Sequence, residues 1–88
     1  MVFKFRILYE RRYRNLIGEV IHTDKISERI KVSGRNRSII IQSNRPLLLS
    51  KGLKRRRVDW KLVEGSMNSP FVLGLIYEEV EKYLNSNY

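Results

Sequence analysis

Cysteine is absent from the 88-residue sequence, and this excludes disulfides, thiolate metal sites and cysteine nucleophiles. Histidine occurs once, at His22, and Asp24 is the only carboxylate close to it in sequence. No spacing of His, Asp and Glu is typical of a zinc or calcium site, and the five glycines are too scattered for a phosphate-binding loop. We therefore expect no catalytic residue, no metal and no cofactor, and the sequence predicts that the protein is not an enzyme.

Long apolar runs are also missing. None approaches the roughly 20 residues that a membrane-spanning helix requires. Charged residues interrupt the apolar ones within residues 1–6, so this segment lacks the apolar core of a signal peptide. The sequence thus predicts a cytoplasmic protein with no membrane span. Its 42% hydrophobic and 31% charged residues favour one folded domain over residues 1–88.

Positive charge is what the sequence has in excess. The net charge is +9, and residues 29–61 alone carry eleven basic residues and one acid, a local charge of +10. Residues 64–88 carry one basic and four acidic residues. Such a concentrated positive field indicates a polyanionic or acidic partner, although basic surfaces also serve only to keep small domains soluble.

Period-two alternation predicts the strands. Phe3, Phe5 and Ile7 alternate with Lys4 and Arg6, which is typical of a half-buried strand. Residues 10–15 are polar and indicate a connection. Gly18 in the second strand indicates either a bulge or room for a neighbouring aromatic ring. The expected strands cover about residues 2–9, 16–22, 28–33, 37–42 and 58–63.

A hairpin is predicted between the third and fourth strands. Gly34 and Asn36 favour the positive φ angles of a tight turn. Residues 39–41 are three consecutive isoleucines, which favours a position inside the sheet because such a strand at an edge invites aggregation. Residues 43–46 break this strand, and whether residues 47–49 pair with the sheet or cap the core is left open.

The period changes to that of a helix after Ser69. Ser69 is a candidate N-cap, Pro70 suits the first helical position, and apolar residues follow at three- and four-residue spacings until about residue 84. Strands first and a helix last predict the α+β class, as an antiparallel meander of four to five strands with this helix on one face.

The basic residues are the candidate binding site. One helix covers one face of such a sheet, and the alternation predicts that strands one and three direct Lys4, Arg6, Arg29 and Lys31 to the other face. Turn residues near the hairpin and a loop at residues 51–57 add further cations, which suit phosphate groups. The predicted nucleic-acid-binding residues are Lys4, Arg6, Arg29, Lys31, Arg35, Arg37, Arg45, Lys51, Lys54, Arg55, Arg56 and Arg57.

Aromatic side chains are candidate platforms for stacking bases. Tyr9, Tyr13, Trp60 and Tyr77 qualify, and Tyr13 lies among three arginines in sequence. Trp60 alternates with two apolar residues, which favours a place in the core.

Residues 36–65 carry a further pattern. The segments Asn36-Arg37-Ser38, Ser43-Asn44-Arg45-Pro46, Lys51-Gly52-Leu53-Lys54 and Asp59-Trp60-Lys61-Leu62 occur there in this order. This order resembles the middle of a group of small uncharacterised bacterial proteins. The resemblance implies a bacterial cytoplasmic protein of similar size and carries no activity or site.

Two hypotheses about function remain from the sequence. The first is a nucleic-acid-binding domain that contacts phosphates through a basic sheet face and loop, with DNA and RNA both open. The second is a protein-interaction module that docks an acidic partner or forms a homodimer. The 51–57 segment on its own also fits a nuclear-localisation patch, a contact to anionic lipid or a solvated loop.

Overall fold

A five-stranded antiparallel sheet and a C-terminal helix form most of the protein in its computed structural model, which describes residues 1–53 and 56–86. The predicted α+β class is confirmed. The elements follow one another as β1 (Val2–Tyr9), β2 (Arg12–Thr23), β3 (Glu28–Ser33), β4 (Ser38–Ser43), α1 (Arg45–Ser50), β5 (Trp60–Glu64) and α2 (Pro70–Ser86).

The strands pair in sequence order, β1-β2-β3-β4-β5, so the sheet is the predicted meander. β4 carries the three isoleucines and lies between β3 and β5, inside the sheet as the sequence indicated. Ile39 and Ile41 are buried on the helix side, whereas Ile40 is half-buried on the opposite side.

α2 covers one face of the sheet and closes the core. Ile76, Val80 and Leu84, at helical spacing, pack against side chains such as Ile30 and Ile41, and none of these five is more than 2% exposed. The helix begins at the predicted residue, where the Ser69 hydroxyl accepts a hydrogen bond of 3.3 Å from the amide of Val72. The apolar face of α2 and the inward side of the pleat thus form one core.

The opposite side of the sheet, which we call the open face, consists of side chains that the pleat directs away from α2. Most of these side chains are exposed, and Ser33, Ile40 and Gln42 are half-buried. They include Val2, Lys4, Arg6, Leu8, Tyr13, Asn15, Ile17, Glu19, Arg29, Lys31, Ser33, Ser38, Ile40, Gln42, Lys61 and Glu64. This face is the part of the sheet available to a partner.

The first hairpin differs from the sequence prediction. The expected polar connection over residues 10–15 was wrong, because β2 begins at Arg12 and only Glu10 and Arg11 form the turn. Both turn residues have positive φ angles, 52° and 62°, which favour the twist of a two-residue hairpin but are uncommon outside glycine and asparagine.

This hairpin projects beyond its neighbour. β3 pairs with β2 only from Ile17 onward, so residues 6–15 pair solely with each other. We call residues 6–15 the hairpin arm. The molecule is correspondingly elongated, 38 Å along its longest axis against 23 and 22 Å along the others.

The second hairpin has a longer turn than predicted. Residues 34–37 connect β3 to β4, closed by a 2.8 Å hydrogen bond from the Gly34 amide to the Arg37 carbonyl. The positive φ angles expected at Gly34 and Asn36 were wrong, since neither residue adopts one. A four-residue connection allows the chain to reverse without left-handed residues.

The short helix α1 was not predicted. It occupies Arg45–Ser50, with Pro46 in its first turn. Proline is tolerated there because the first amides of a helix have no hydrogen-bond partner within the helix. Residues 47–49 belong to this helix and therefore do not extend the sheet. Leu48 is buried.

Gly18 provides room for an aromatic ring. It is paired with Phe3, whose ring stacks on that of Tyr83 with centroids 4.1 Å apart and planes 10° apart. A Cβ atom at Gly18 would lie less than 3.0 Å from three ring carbons of Phe3. The bulge in β2 lies elsewhere, between Val20 and His22, so the aromatic interpretation is the correct one.

Replacing Gly18 by alanine is therefore expected to lower the free energy of unfolding by about 1–3 kcal/mol, because Tyr83 holds the Phe3 ring in place. Gly74→Ala is the matched control. Gly74 lies in α2 with open space around its Cβ position, so alanine there should raise the free energy of unfolding by up to about 1 kcal/mol. Urea denaturation measures both, and equal stability of the two variants would contradict this account.

Among residues 1–53 and 56–86, no helix is both long enough and apolar enough to cross a membrane.

Candidate nucleic-acid interface

Four predicted site residues lie together on the open face. Lys4 and Arg6 come from β1, and Arg29 and Lys31 come from β3, with β2 between them. All four side chains are exposed. The pleat therefore places on one face two pairs of cations that are separated from each other by 23 or more positions in sequence.

Lys61 extends this group and was not among the predicted site residues. It pairs with Gln42, which pairs with Arg29, so these three form one row across β3, β4 and β5. Its alternation with Trp60 and Leu62, which pack toward the core, was the signal that could have placed it here.

Two acids interrupt the basic surface. Glu19 pairs with both Val2 and Lys31, and Glu64 pairs with Ile40 at the edge of the sheet. With five cations against these two acids, the face retains a net positive charge.

Two of the arginines are held by neighbours. The Nε of Arg29 donates a 2.9 Å hydrogen bond to Oε1 of Gln42, which restrains the guanidinium. The guanidinium carbon of Arg6 lies 4.0 Å from the centroid of the Tyr13 ring, a cation–π contact. Both side chains thus lose less conformational freedom when they bind an anion.

The cations of the open face have no carboxylate partner in the described structure. Ion pairs there involve only His22, Arg45 and Lys82 as cations. The positive charge of the open face is therefore not neutralised within the described part of the chain.

The remaining predicted cations lie at the two ends of the strands. Arg35 and Arg37 are exposed in the turn that joins β3 to β4. Lys51, Arg56 and Arg57 are exposed between α1 and β5, at the opposite end of the strands. Lys54 and Arg55 lie outside the described residues.

Arg45 does not belong to this surface. It is 5% exposed, and its Nε and one terminal nitrogen donate hydrogen bonds of 2.7 and 3.0 Å to the two carboxylate oxygens of Glu28, itself 1% exposed. Ser43 donates a third bond, of 2.9 Å, to the same carboxylate. A guanidinium buried in this pair is not available to a phosphate, so Arg45 is removed from the candidate site.

Of the four candidate stacking residues, Tyr13 is the exposed one, at 58%. Tyr9 is half-buried near Phe71. Trp60 stacks on Tyr77 with centroids 5.4 Å apart, and its indole nitrogen donates a 2.9 Å hydrogen bond to Glu81. Burial raises the pKa of the Tyr77 hydroxyl, in keeping with a structural place for both rings. Tyr13 is therefore the remaining platform.

His22 and Asp24 form an exposed pair at the end of β2. His22 Nε2 lies 2.8 Å from Asp24 Oδ2, and the other carboxylate oxygen accepts bonds from the amides of Ile26 and Ser27. The hydrogen bond from His22 and those two amide bonds lower the pKa of Asp24 from 3.8 to about 2. Asp24 thereby closes the β2–β3 loop.

The lowered pKa of Asp24 predicts that the loop loosens in acid. A carboxyl whose pKa is lower in the folded state stabilises the fold above its unfolded pKa. This contribution is lost as the pH falls from about 4 through about 2. The protection of the Ile26 and Ser27 amides against hydrogen exchange, relative to the intrinsic rate at each pH, should fall over that range, and Asp24→Asn should abolish the change. Protection factors that stay constant through this titration would contradict the prediction.

In the described ranges no group of three or more His, Asp and Glu side chains could hold a metal ion. No protein-family model matches the chain, and no curated protein or solved structure is significantly similar to it. The geometry of the chain's own residues is therefore the basis for a functional proposal.

Proposed function

We propose that the protein binds nucleic acid through the open face. The observation that supports this most strongly is the group of five exposed cations on one side of the sheet, with no carboxylate partner in the described part: Lys4, Arg6, Arg29, Lys31 and Lys61. A group of Arg and Lys side chains of this size is best suited to bind phosphate groups. A cytoplasmic location, which the absence of cysteine favours, is part of the proposal.

The spacing of these cations fits a phosphate backbone. Lys4 and Arg6 are two residues apart on one strand, as are Arg29 and Lys31, which separates their Cα atoms by about 7 Å. Each nucleic-acid strand of a duplex carries one charge per about 3.4 Å of its axis, so two long side chains at this separation can reach phosphates that are one or two steps apart on one strand. Two such rows on one face can follow the charges of a single ligand.

Binding that depends on phosphate contacts is steeply sensitive to salt. Fluorescence anisotropy titrations against labelled duplex and single-stranded DNA and RNA, from 50 to 300 mM salt, test this directly. With five contacts to a duplex, the slope of log affinity against log salt is expected to be about −4 to −5. The proposal fails if nothing binds at low salt or if the slope is close to zero.

A second candidate function is docking of another protein. The open face also exposes apolar side chains, Leu8 at 53% and Ile17 at 45%, and these favour a protein partner or a second copy of the chain. Molar mass measured by light scattering at low and high salt distinguishes a homodimer from a monomer. Pull-down after nuclease treatment distinguishes a protein partner from one bridged by nucleic acid.

A further inference from the structure

The hairpin arm carries a second concentration of positive charge, outside the predicted site residues except for Arg6. Four arginines and one acid occur among its ten residues: Arg6, Glu10, Arg11, Arg12 and Arg14. All five side chains are exposed, and none forms an ion pair within residues 1–53 and 56–86. The arm is thus a basic two-stranded ribbon with little of its charge neutralised.

The open side of the arm presents side chains that recognise bases. Arg6 and Asn15 lie directly opposite each other on paired strands, and Leu8 lies opposite Tyr13. Arginine pairs with the major-groove edge of guanine, asparagine pairs with that of adenine, and apolar side chains contact the thymine methyl group. The contact with Tyr13 orients the Arg6 guanidinium on this side.

The outer edge of the arm is free of β3. Arg12 and Arg14 lie on β2 at positions that β3 does not reach, and both are exposed. They point to the other side of the pleat from Arg6, next to this uncovered edge. Side chains at such an edge lie beside the wall of any groove that the ribbon enters.

The dimensions of the arm fit one kind of groove. Four residue pairs and the two-residue turn extend it by about 17 Å past the end of β3. A two-stranded ribbon enters the major groove of B-form DNA, which is about 12 Å wide. The corresponding groove of an RNA duplex is too narrow and deep for side chains to read. A single strand has no groove at all.

We propose that the hairpin arm enters the major groove of duplex DNA, with Arg6 and Asn15 toward the base edges and Arg12 and Arg14 toward the flanking phosphates. This inference rests on the proposed function, narrows its ligand to B-form duplex DNA, and directs Arg6 to a base edge instead of a phosphate. It also assigns the arm as the element that fixes the position of the sheet on the duplex.

The first test compares ligands. A 20-base-pair DNA duplex, one of its separated strands and an RNA duplex of the same sequence are titrated with the wild-type protein at one salt concentration. We expect the DNA duplex to bind about tenfold or more tightly than the other two. Equal or tighter binding of the single strand or the RNA duplex overturns the inference and leaves the proposed function standing, whereas binding of none overturns both.

The second test removes charge from the arm. Arg12→Gln together with Arg14→Gln should reduce the slope of log affinity against log salt by about 2 and weaken duplex binding at every salt concentration. Lys25→Gln together with Lys82→Gln is the matched control, because both lysines are exposed, lie off the arm and the open face, and remove the same charge. Equal effects of the two double variants overturn the inference.

A competition experiment identifies the groove. Methyl green, which occupies the major groove, should displace the protein from the duplex, and netropsin, which occupies the minor groove, should not. Displacement by netropsin alone overturns the placement of the arm. All variants alter exposed side chains, and thermal melts followed by circular dichroism verify that they fold.

Discussion

Glu28→Gln is expected to lower the free energy of unfolding by about 3–5 kcal/mol, because it leaves the buried guanidinium of Arg45 without a counter-charge. Small domains are typically stable by about 5–15 kcal/mol in total, so much of the chain would be unfolded at modest denaturant concentrations. Equilibrium denaturation in urea, followed by the fluorescence of Trp60, measures the loss.

The control for this effect is Glu64→Gln. Glu64 ends β5 and is exposed, and its neutralisation should change the free energy of unfolding by less than about 0.5 kcal/mol. If Glu28→Gln lowers the free energy of unfolding no more than the control does, the Glu28–Arg45 pair does not stabilise the fold to the extent that its burial predicts.

Removing both charges of this pair should destabilise the fold much less than removing one. Glu28→Met combined with Arg45→Met leaves no unpaired charge in the interior, and well-packed apolar replacements of buried ion pairs are often neutral or stabilising. We expect the double variant to be more stable than Glu28→Gln. It also tests whether Arg45 has a role in binding, since the account predicts unchanged affinity for nucleic acid.

Lys4→Gln together with Lys31→Gln is expected to weaken nucleic-acid binding by about 10- to 100-fold at 50 mM salt. Each substitution removes one charge-assisted contact to phosphate, and the two residues lie on separate strands of the open face. Anisotropy titration measures the change in affinity and in salt dependence.

The same pair of distant lysines, Lys25→Gln with Lys82→Gln, controls for net charge. If the two double variants bind equally well, affinity follows the total charge of +9 and not the open face. If the open-face variant alone loses affinity, the arrangement of charge on the sheet determines binding.

Periodicity in the sequence was sufficient for most of the fold. Alternation along β1 identified its inward residues Phe3 and Ile7, and the spacing of Ile76, Val80 and Leu84 identified the helix. These patterns succeed because burial on one side of a strand or helix determines side-chain polarity directly. For the same reason, the sequence could predict which strand-borne cations share a face.

The buried position of Arg45 could not be predicted in this way. Its partner Glu28 is 17 positions away, and the two meet because β3 and β4 align Glu28 with Ser43. Arginine is mostly exposed in proteins, so local sequence favours a surface position unless a buried carboxylate is known to face it.

The hairpin arm was missed for a different reason. Two-residue turns are usually recognised by Asn-Gly or Asp-Gly, whereas here Glu10 and Arg11 adopt the left-handed conformation. The polar residues that follow have no alternation of apolar side chains, since much of the arm projects into solvent. Pairing with β1, and not a local pattern, extends β2 over this segment.

The most direct test of the central claim is to map the binding surface by nuclear magnetic resonance. On titration of a ¹⁵N-labelled protein with a short DNA duplex, the amide signals of Lys4, Arg6, Arg29 and Lys31 should shift, and those of Glu78 and Lys82 on the outer side of α2 should not. Shifts confined to α2, with the four open-face signals unchanged, would contradict the claim that the open face binds nucleic acid.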